Sequence, residues 1–145
     1  MKYIPSIFLL SVFLAAFSCE AAAQCKPFVK SSCIPVLSPY IHDGSYQAAI
    51  MGEGEEAEIY KTVFSGQLYR LYVCVAPTIP AVEFEVFDAY GKILLFDSRK
   101  NGNVRQWDFK SEASQQIKIK VKIPVGKGET PVEGCVGVFF GLKER

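Results

Sequence analysis

Apolar and polar residues alternate with a period of two along most of this chain, the spacing that turns one side of a β-strand to a core and the other to water. Residues 116–123 show it most plainly: Ile117, Ile119, Val121 and Ile123 fall on one side, and Lys118, Lys120 and Lys122 on the other. Residues 81–87 follow the same rule, with Val82, Phe84 and Val86 opposed to Glu83 and Glu85. Asp88-Ala89-Tyr90-Gly91 then supplies turn chemistry and residues 93–97 return, which predicts a hairpin. Weaker strands are predicted at 45–51, where Tyr46, Ala48 and Ile50 share a side, and at 58–64, where Ile59 and Val63 oppose Tyr60, Thr62 and Phe64. Residues 68–75 are apolar on both faces except at Arg70, which predicts a central place in a sheet, and Pro77 and Pro80 forbid continuation. Past the Asn101-Gly102-Asn103 turn, residues 104–110 put Arg105, Trp107 and Phe109 on one face. The last strand, 135–142, alternates Val136, Val138, Phe140 and Leu142 with Gly137 and Gly141. Eight short strands at roughly ten-residue spacing, with no amphipathic helix, predict an all-β fold. A two-sheet antiparallel β-sandwich over residues 45–145 is expected, jelly-roll-like in topology, with a small barrel as second choice. Pro27, Pro35 and Pro39 make residues 24–44 an extended lead-in rather than a helix.

The first 23 residues break the period, and 17 of them are hydrophobic. Lys2, an apolar run over 4–17 and a small-residue region form a secretory signal peptide, with Ala21 and Ala23 placed for cleavage before Gln24. A run of 14 residues falls short of the roughly 20 that cross a bilayer. No later segment reaches that length, so no transmembrane segment is expected in the mature chain. The alternative reads Ala16-Phe17-Ser18-Cys19 as a lipobox, with Cys19 lipidated as an anchor, although a Leu-like residue is missing three before the cysteine. The first reading predicts a periplasmic or extracellular protein; the second, an outer-membrane lipoprotein.

Setting Cys19 aside changes an odd cysteine count of five into four: Cys25, Cys33, Cys74 and Cys135. In an exported chain these read as two disulfides. Of the three pairings, spacing favours Cys25 with Cys33 as a local clip. Cys74 would then join Cys135 across a loop of about 60 residues, worth around 4 kcal/mol in the chain-entropy model. No Cys-x-x-Cys occurs and His42 is the lone histidine, so a zinc-type site is not expected.

With 16 basic and 15 acidic residues, the net charge is +1. That balance argues against a nucleic-acid binder or a polybasic membrane-surface protein. No nucleophile elbow or phosphate-cradling loop is present, and no cofactor is expected. His42-Asp43 reads as a surface turn rather than an acid/base pair. Glu53, Glu55, Glu56 and Glu58 are weak calcium candidates, because calcium needs several converging oxygens, but their spacing matches no known loop. A two-carboxylate glycan hydrolase would have to draw on Glu83, Glu85 and Asp97. The candidate ligand surface is Trp107 and Tyr90 as stacking rings, with Arg105, Lys118, Lys120 and Lys122 for an acidic group. The lysine row also reads as protection against edge aggregation.

At Gly66-Gln67-x-Tyr69-x-Leu71-x-Val73 and Phe84-x-Val86-x-Asp88-x-x-Gly91-x-x-Leu94-x-x-Asp97-Ser98, the chain resembles pre-peptidase C-terminal domains, small β-sandwich accessory modules of secreted bacterial proteins. The resemblance spans about residues 58–123 and implies a non-catalytic binding or assembly role. The chain departs from it in carrying no attached enzyme and in ending on Gly134-Cys135-Val136-Gly137-Val138. It is also similar to small exported proteins of the Bacteroidota, from which no activity follows. The expected function is therefore that of an exported non-catalytic envelope protein that binds a protein or glycan partner. The alternatives are a small glycan-acting enzyme or a structural subunit, the last predicting a large exposed apolar patch.

Overall fold

Strands form wherever the period of two predicts them. The computed structural model describes residues 21–144. Its strands are β1 Ile41–Gly52, β2 Glu56–Val63, β3 Leu68–Val75, β4 Glu83–Asp88, β5 Leu94–Asp97, β6 Gln106–Lys110, β7 Gln115–Lys122 and β8 Glu133–Leu142. Sheet A has the order β1-β8-β3-β6 and sheet B the order β2-β7-β4-β5, all antiparallel. The chain changes sheet at every connection except the β4–β5 hairpin, which is jelly-roll topology. The strand expected to be central, β3, lies between β8 and β6.

The apolar phase of each strand fills the space between the sheets. Leu71 and Val73 from sheet A and Val86 and Ile119 from sheet B are completely buried there. Each such side chain contributes about 1.5–3 kcal/mol of transfer free energy. At the side where β5 faces β6, aromatic rings close the sandwich. Phe84, Phe96, Trp107, Phe109 and Tyr69 stack in sequence, with centroid separations of 5.3, 5.1, 4.1 and 5.4 Å.

The segment before β1 departs from the extended lead-in predicted for residues 24–44. It forms helix α1 Ala21–Phe28, a π turn Val29–Cys33 and a 3-10 turn Ile34–Leu37, and β1 already begins at Ile41. The prolines permit this because of where they fall. Pro35 sits in the first turn of its 3-10 helix, where a missing N–H costs nothing, and Pro27 lies where the α-helix gives way to the π turn. What holds the segment is the outer face of sheet A. Val29, Cys33 and Leu37 pack there against Cys74 and Phe139, with Tyr46 and Tyr72 alongside. Phe139 lies across Gly137, where an added Cβ would come within 2.5 Å of the ring, so the glycine is required by close approach.

The disulfides are Cys25–Cys135 and Cys33–Cys74, not the pairing that spacing favoured. Eight residues of helical backbone rise about 12 Å. A clip between Cys25 and Cys33 would need their Cα atoms within about 7 Å. The helical segment instead delivers one cysteine to β8 and the other to β3, at Cα separations of 5.6 and 5.7 Å. Arg70 fastens the far end. Its guanidinium donates to both carboxylate oxygens of Asp108 at 2.8 and 2.7 Å and to the Ser38 carbonyl at 3.1 Å, and it lies 4.3 Å from the centroid of the Tyr40 ring. Its ordinary pKa is raised, chiefly by the hydrogen bond to Asp108. The predicted signal segment up to residue 20, and Cys19 with it, lies outside the described residues.

Candidate functional site

The outer face of sheet B carries no such cover among the described residues, and its side chains form rows across the strands. Glu56, Lys122 and Glu83 are aligned in register, as are Glu58, Lys120 and Glu85. The lysines are thus flanked by glutamates on both sides: Lys120 Nζ lies 3.2 Å from Glu56, and Lys118 Nζ lies 3.3 Å from Glu58. The row Lys118, Lys120 and Lys122 is on a central strand, not at an edge, and its charge is largely matched. It does not form a free basic patch for an acidic glycan.

The third row differs. Tyr60, Lys118, Phe87 and Leu94 align across all four strands, and Tyr60 is 53% exposed. Next to it projects the β4–β5 turn, where Tyr90 is 84% and Ile93 61% exposed. Local hydrogen bonds shape the backbone of this tip. Asp88 Oδ1 accepts from the backbone N–H groups of Lys92 at 2.8 Å and Ile93 at 2.9 Å, and the Gly91 N–H donates to the Asp88 carbonyl at 2.9 Å. Gly91 takes a φ of 68°, which favours glycine. The Asp88 carboxyl is held below its ordinary pKa, first by the Ile93 N–H. Lys118 underlies the tip, with Nζ 5.4 Å from the centroid of the Phe87 ring. The arrangement is a row that is apolar except for Lys118, with an aromatic projecting beside it and charged rows along one side, a mixture of apolar and polar groups that protein interfaces also show.

Of the predicted ligand surface, the fold places Tyr90 and the three lysines Lys118, Lys120 and Lys122 on this face, with Lys118 next to the tip. Trp107 belongs to sheet A and is half-buried in the aromatic stack, and Arg105 precedes β6 beside Pro80 and Asn103. Tyr60, Phe87, Ile93 and Leu94 were missed. The signal was present for two of them, since Tyr60 and Phe87 are large apolar residues in the same phase as Glu58 and Glu85.

Of the carboxylates considered for catalysis, Glu83 and Glu85 line a pocket of about 120 Å3 on this face, together with Lys120, Lys122 and Arg99. Asp97, 4% exposed, accepts from Arg99 Nη2 at 2.9 Å and from the Arg99 N–H at 2.9 Å; Arg99 also binds Glu85. The Arg99 hydrogen bond lowers the Asp97 pKa, the wrong direction for a general acid. The calcium candidates do not converge. Glu55 accepts from the Gly52 N–H at 2.7 Å, Glu56 faces Lys120, and Glu53 lies against Gly126. Among the described residues, no cluster of three or more His, Cys, Asp or Glu side chains is placed to hold a metal ion. His42 Nε2 lies 3.2 Å from the Ser45 carbonyl, while Asp43 pairs with Lys61.

No protein-family model matches the chain, and no curated protein sequence does. Among solved structures it is similar to PliG of Aeromonas hydrophila, a periplasmic inhibitor of g-type lysozyme, at a TM-score of 0.51 and 12% identity, covering 68% of this chain and 85% of that one. The Salmonella Typhimurium PliG, also a periplasmic inhibitor of g-type lysozyme, gives 0.44 at 12% identity, over 68% and 90%. A de novo designed double-stranded β-helix gives 0.29 at 16%, over 65% and 97%. The first likeness is one of fold, and the class this chain itself shows is the antiparallel two-sheet β protein.

Proposed function

We propose that this is an exported, non-catalytic protein that binds a partner protein through the open face of sheet B, with the Tyr90 tip at the centre of contact. The observation that carries the reading is the set of exposed large apolar residues on this face, Leu94, Ile93 and Tyr90 at the β4–β5 end and Tyr60 at the β2 edge, with Lys118 and Phe87 between them. Two disulfides fit an oxidising compartment, and no described helix is long and apolar enough to cross a membrane. The carboxylates of sheet B are engaged by lysine and arginine, which favours recognition over turnover. Because the Aeromonas hydrophila PliG, of similar fold, is a periplasmic inhibitor of g-type lysozyme, a lysozyme is the first partner to test and the periplasm the first location.

The test measures binding of the purified protein to g-type lysozyme, together with the rate of cell-wall lysis. A saturable complex that slows lysis is expected. Tyr90→Ala combined with Ile93→Ser should weaken it at least tenfold, the loss typical of central aromatic contacts. A complex unaffected by the double variant would overturn the assignment of this surface. Binding to soluble glycan in place of protein would overturn the partner class.

A further inference from the structure

The two sides of the sandwich are finished differently. The β5–β6 side is closed by stacked aromatic rings, whereas on the β1–β2 side the inward positions are held by Gln47, Ala49, Ala57 and Ile59. The small alanines leave a slot of about 220 Å3 that reaches Val121, Val136 and Val138. An apolar cavity of about 150 Å3 takes a benzene-sized ring, so the slot has room for an aliphatic side chain. One end is stopped by Lys61, which pairs with Asp43 and donates to Ser45 Oγ at 3.0 Å, and the other by the Gly52–Glu55 turn. Among the described residues β1 pairs only with β8 and β2 only with β7, so the strands bordering the slot each have an unpaired backbone edge. The charge rows of sheet B end at the β2 edge. They run Glu85–Lys120–Glu58 and Glu83–Lys122–Glu56, and the outer glutamates are about half exposed.

We propose that the slot and the free edge of β2 form a docking site for an extended segment of a partner protein in which apolar and basic residues alternate. Such a segment adds as a strand beside β2, its backbone satisfying the free edge. Side chains of one phase then reach into the slot. Those of the other phase lie beside Glu56 and Glu58, continuing the alternation of sign across the sheet. A second copy of this chain does not supply the segment through β2, whose outward positions are Glu56, Glu58, Tyr60 and Thr62 and bring no basic residue opposite the glutamates. The site is separate from the Tyr90 tip.

The probe is a labelled peptide alternating lysine and valine over seven residues, followed by fluorescence anisotropy; its control carries glutamate for lysine. Saturable binding of the lysine peptide is expected, with none of the control. Glu58→Lys reverses the charge of a half-exposed side chain at the rim of the slot and should weaken binding at least tenfold. Ala57→Phe should do the same by filling the slot, with its unfolding midpoint showing that the variant is folded. The pair Glu56→Lys and Glu58→Lys should bind the glutamate peptide. Tyr90→Ala should leave the affinity within twofold, which separates this site from the proposed partner surface. No saturable binding up to about 1 mM, equal binding of both peptides, or binding indifferent to Glu58→Lys or to folded Ala57→Phe would overturn the proposal.

Discussion

Phe139 projects from the outer face of sheet A and is completely buried, whereas Tyr60 projects from the outer face of sheet B and is 53% exposed. Both occupy the phase of a strand that turns away from the sandwich core. The difference lies in what covers them. Sheet A carries α1 and the helical turns after it, held by two disulfides, and beneath them a second small core forms around Phe139. Sheet B answers most of its outward positions with matched charges and leaves open one row that is apolar except at Lys118. Apolar residues in the outward phase thus serve two ends in one molecule: as the floor under a fastened segment, or as a surface for something else to cover.

The comparison can be broken most strongly from the covered side. Phe139→Ala should cost about 3–5 kcal/mol in urea denaturation, as for a wholly buried ring, while a loss below about 1 kcal/mol would mean that the second core contributes little. Replacing Cys33 and Cys74 together by serine should cost about 2–5 kcal/mol and raise binding of an apolar dye as the segment loosens from sheet A. Acid sharpens the open side. Arg99 holds the Asp97 pKa below its ordinary value, so the stability it contributes is full above the unfolded-state pKa and lost as pH falls through the lowered folded-state value. Asp97→Asn should therefore flatten the acid limb of the stability profile, read from unfolding midpoints between about pH 5 and pH 2. Lys120→Ala removes an exposed ion pair and should change stability by at most about 1 kcal/mol. The smallest stability effect, within about 0.5 kcal/mol, is expected from Tyr90→Ala, whose ring packs on little of its own chain. A large loss there would make the tip structural.

Much of the fold was legible because period two is a local signal. All eight strands lie where alternation predicts them, and the bounds of β3 agree at both ends. The helical segment before β1 was not legible, since its prolines read as breakers until the apolar face beneath it is known. Two of the six residues of the candidate surface could be read. Tyr90 was identifiable as a turn aromatic and Lys118 as part of a basic row, but Trp107 was assigned outward because a strand pattern marks the two faces without saying which is inner. Cys74 and Cys135 show the same limit. They sit on neighbouring strands, but in the observed register Cys74 faces Gly137, two residues from Cys135, and each cysteine meets a helical partner instead.

Along the chain, acidic residues gather at 53–58 and basic ones at 99–122, an asymmetry that suggested a surface with a charge preference. The sequence by itself determined the strands, the hairpin, the sandwich class and the supply of cysteines, because each depends on neighbours a few residues apart. Tertiary structure alone decided that Glu56 and Glu58 lie beside Lys120 and Lys122, that the cysteines pair across 110 and 41 residues, and that one outer face is covered while the other is open. Those outcomes depend on strand order and register, which bring together residues that no local pattern connects.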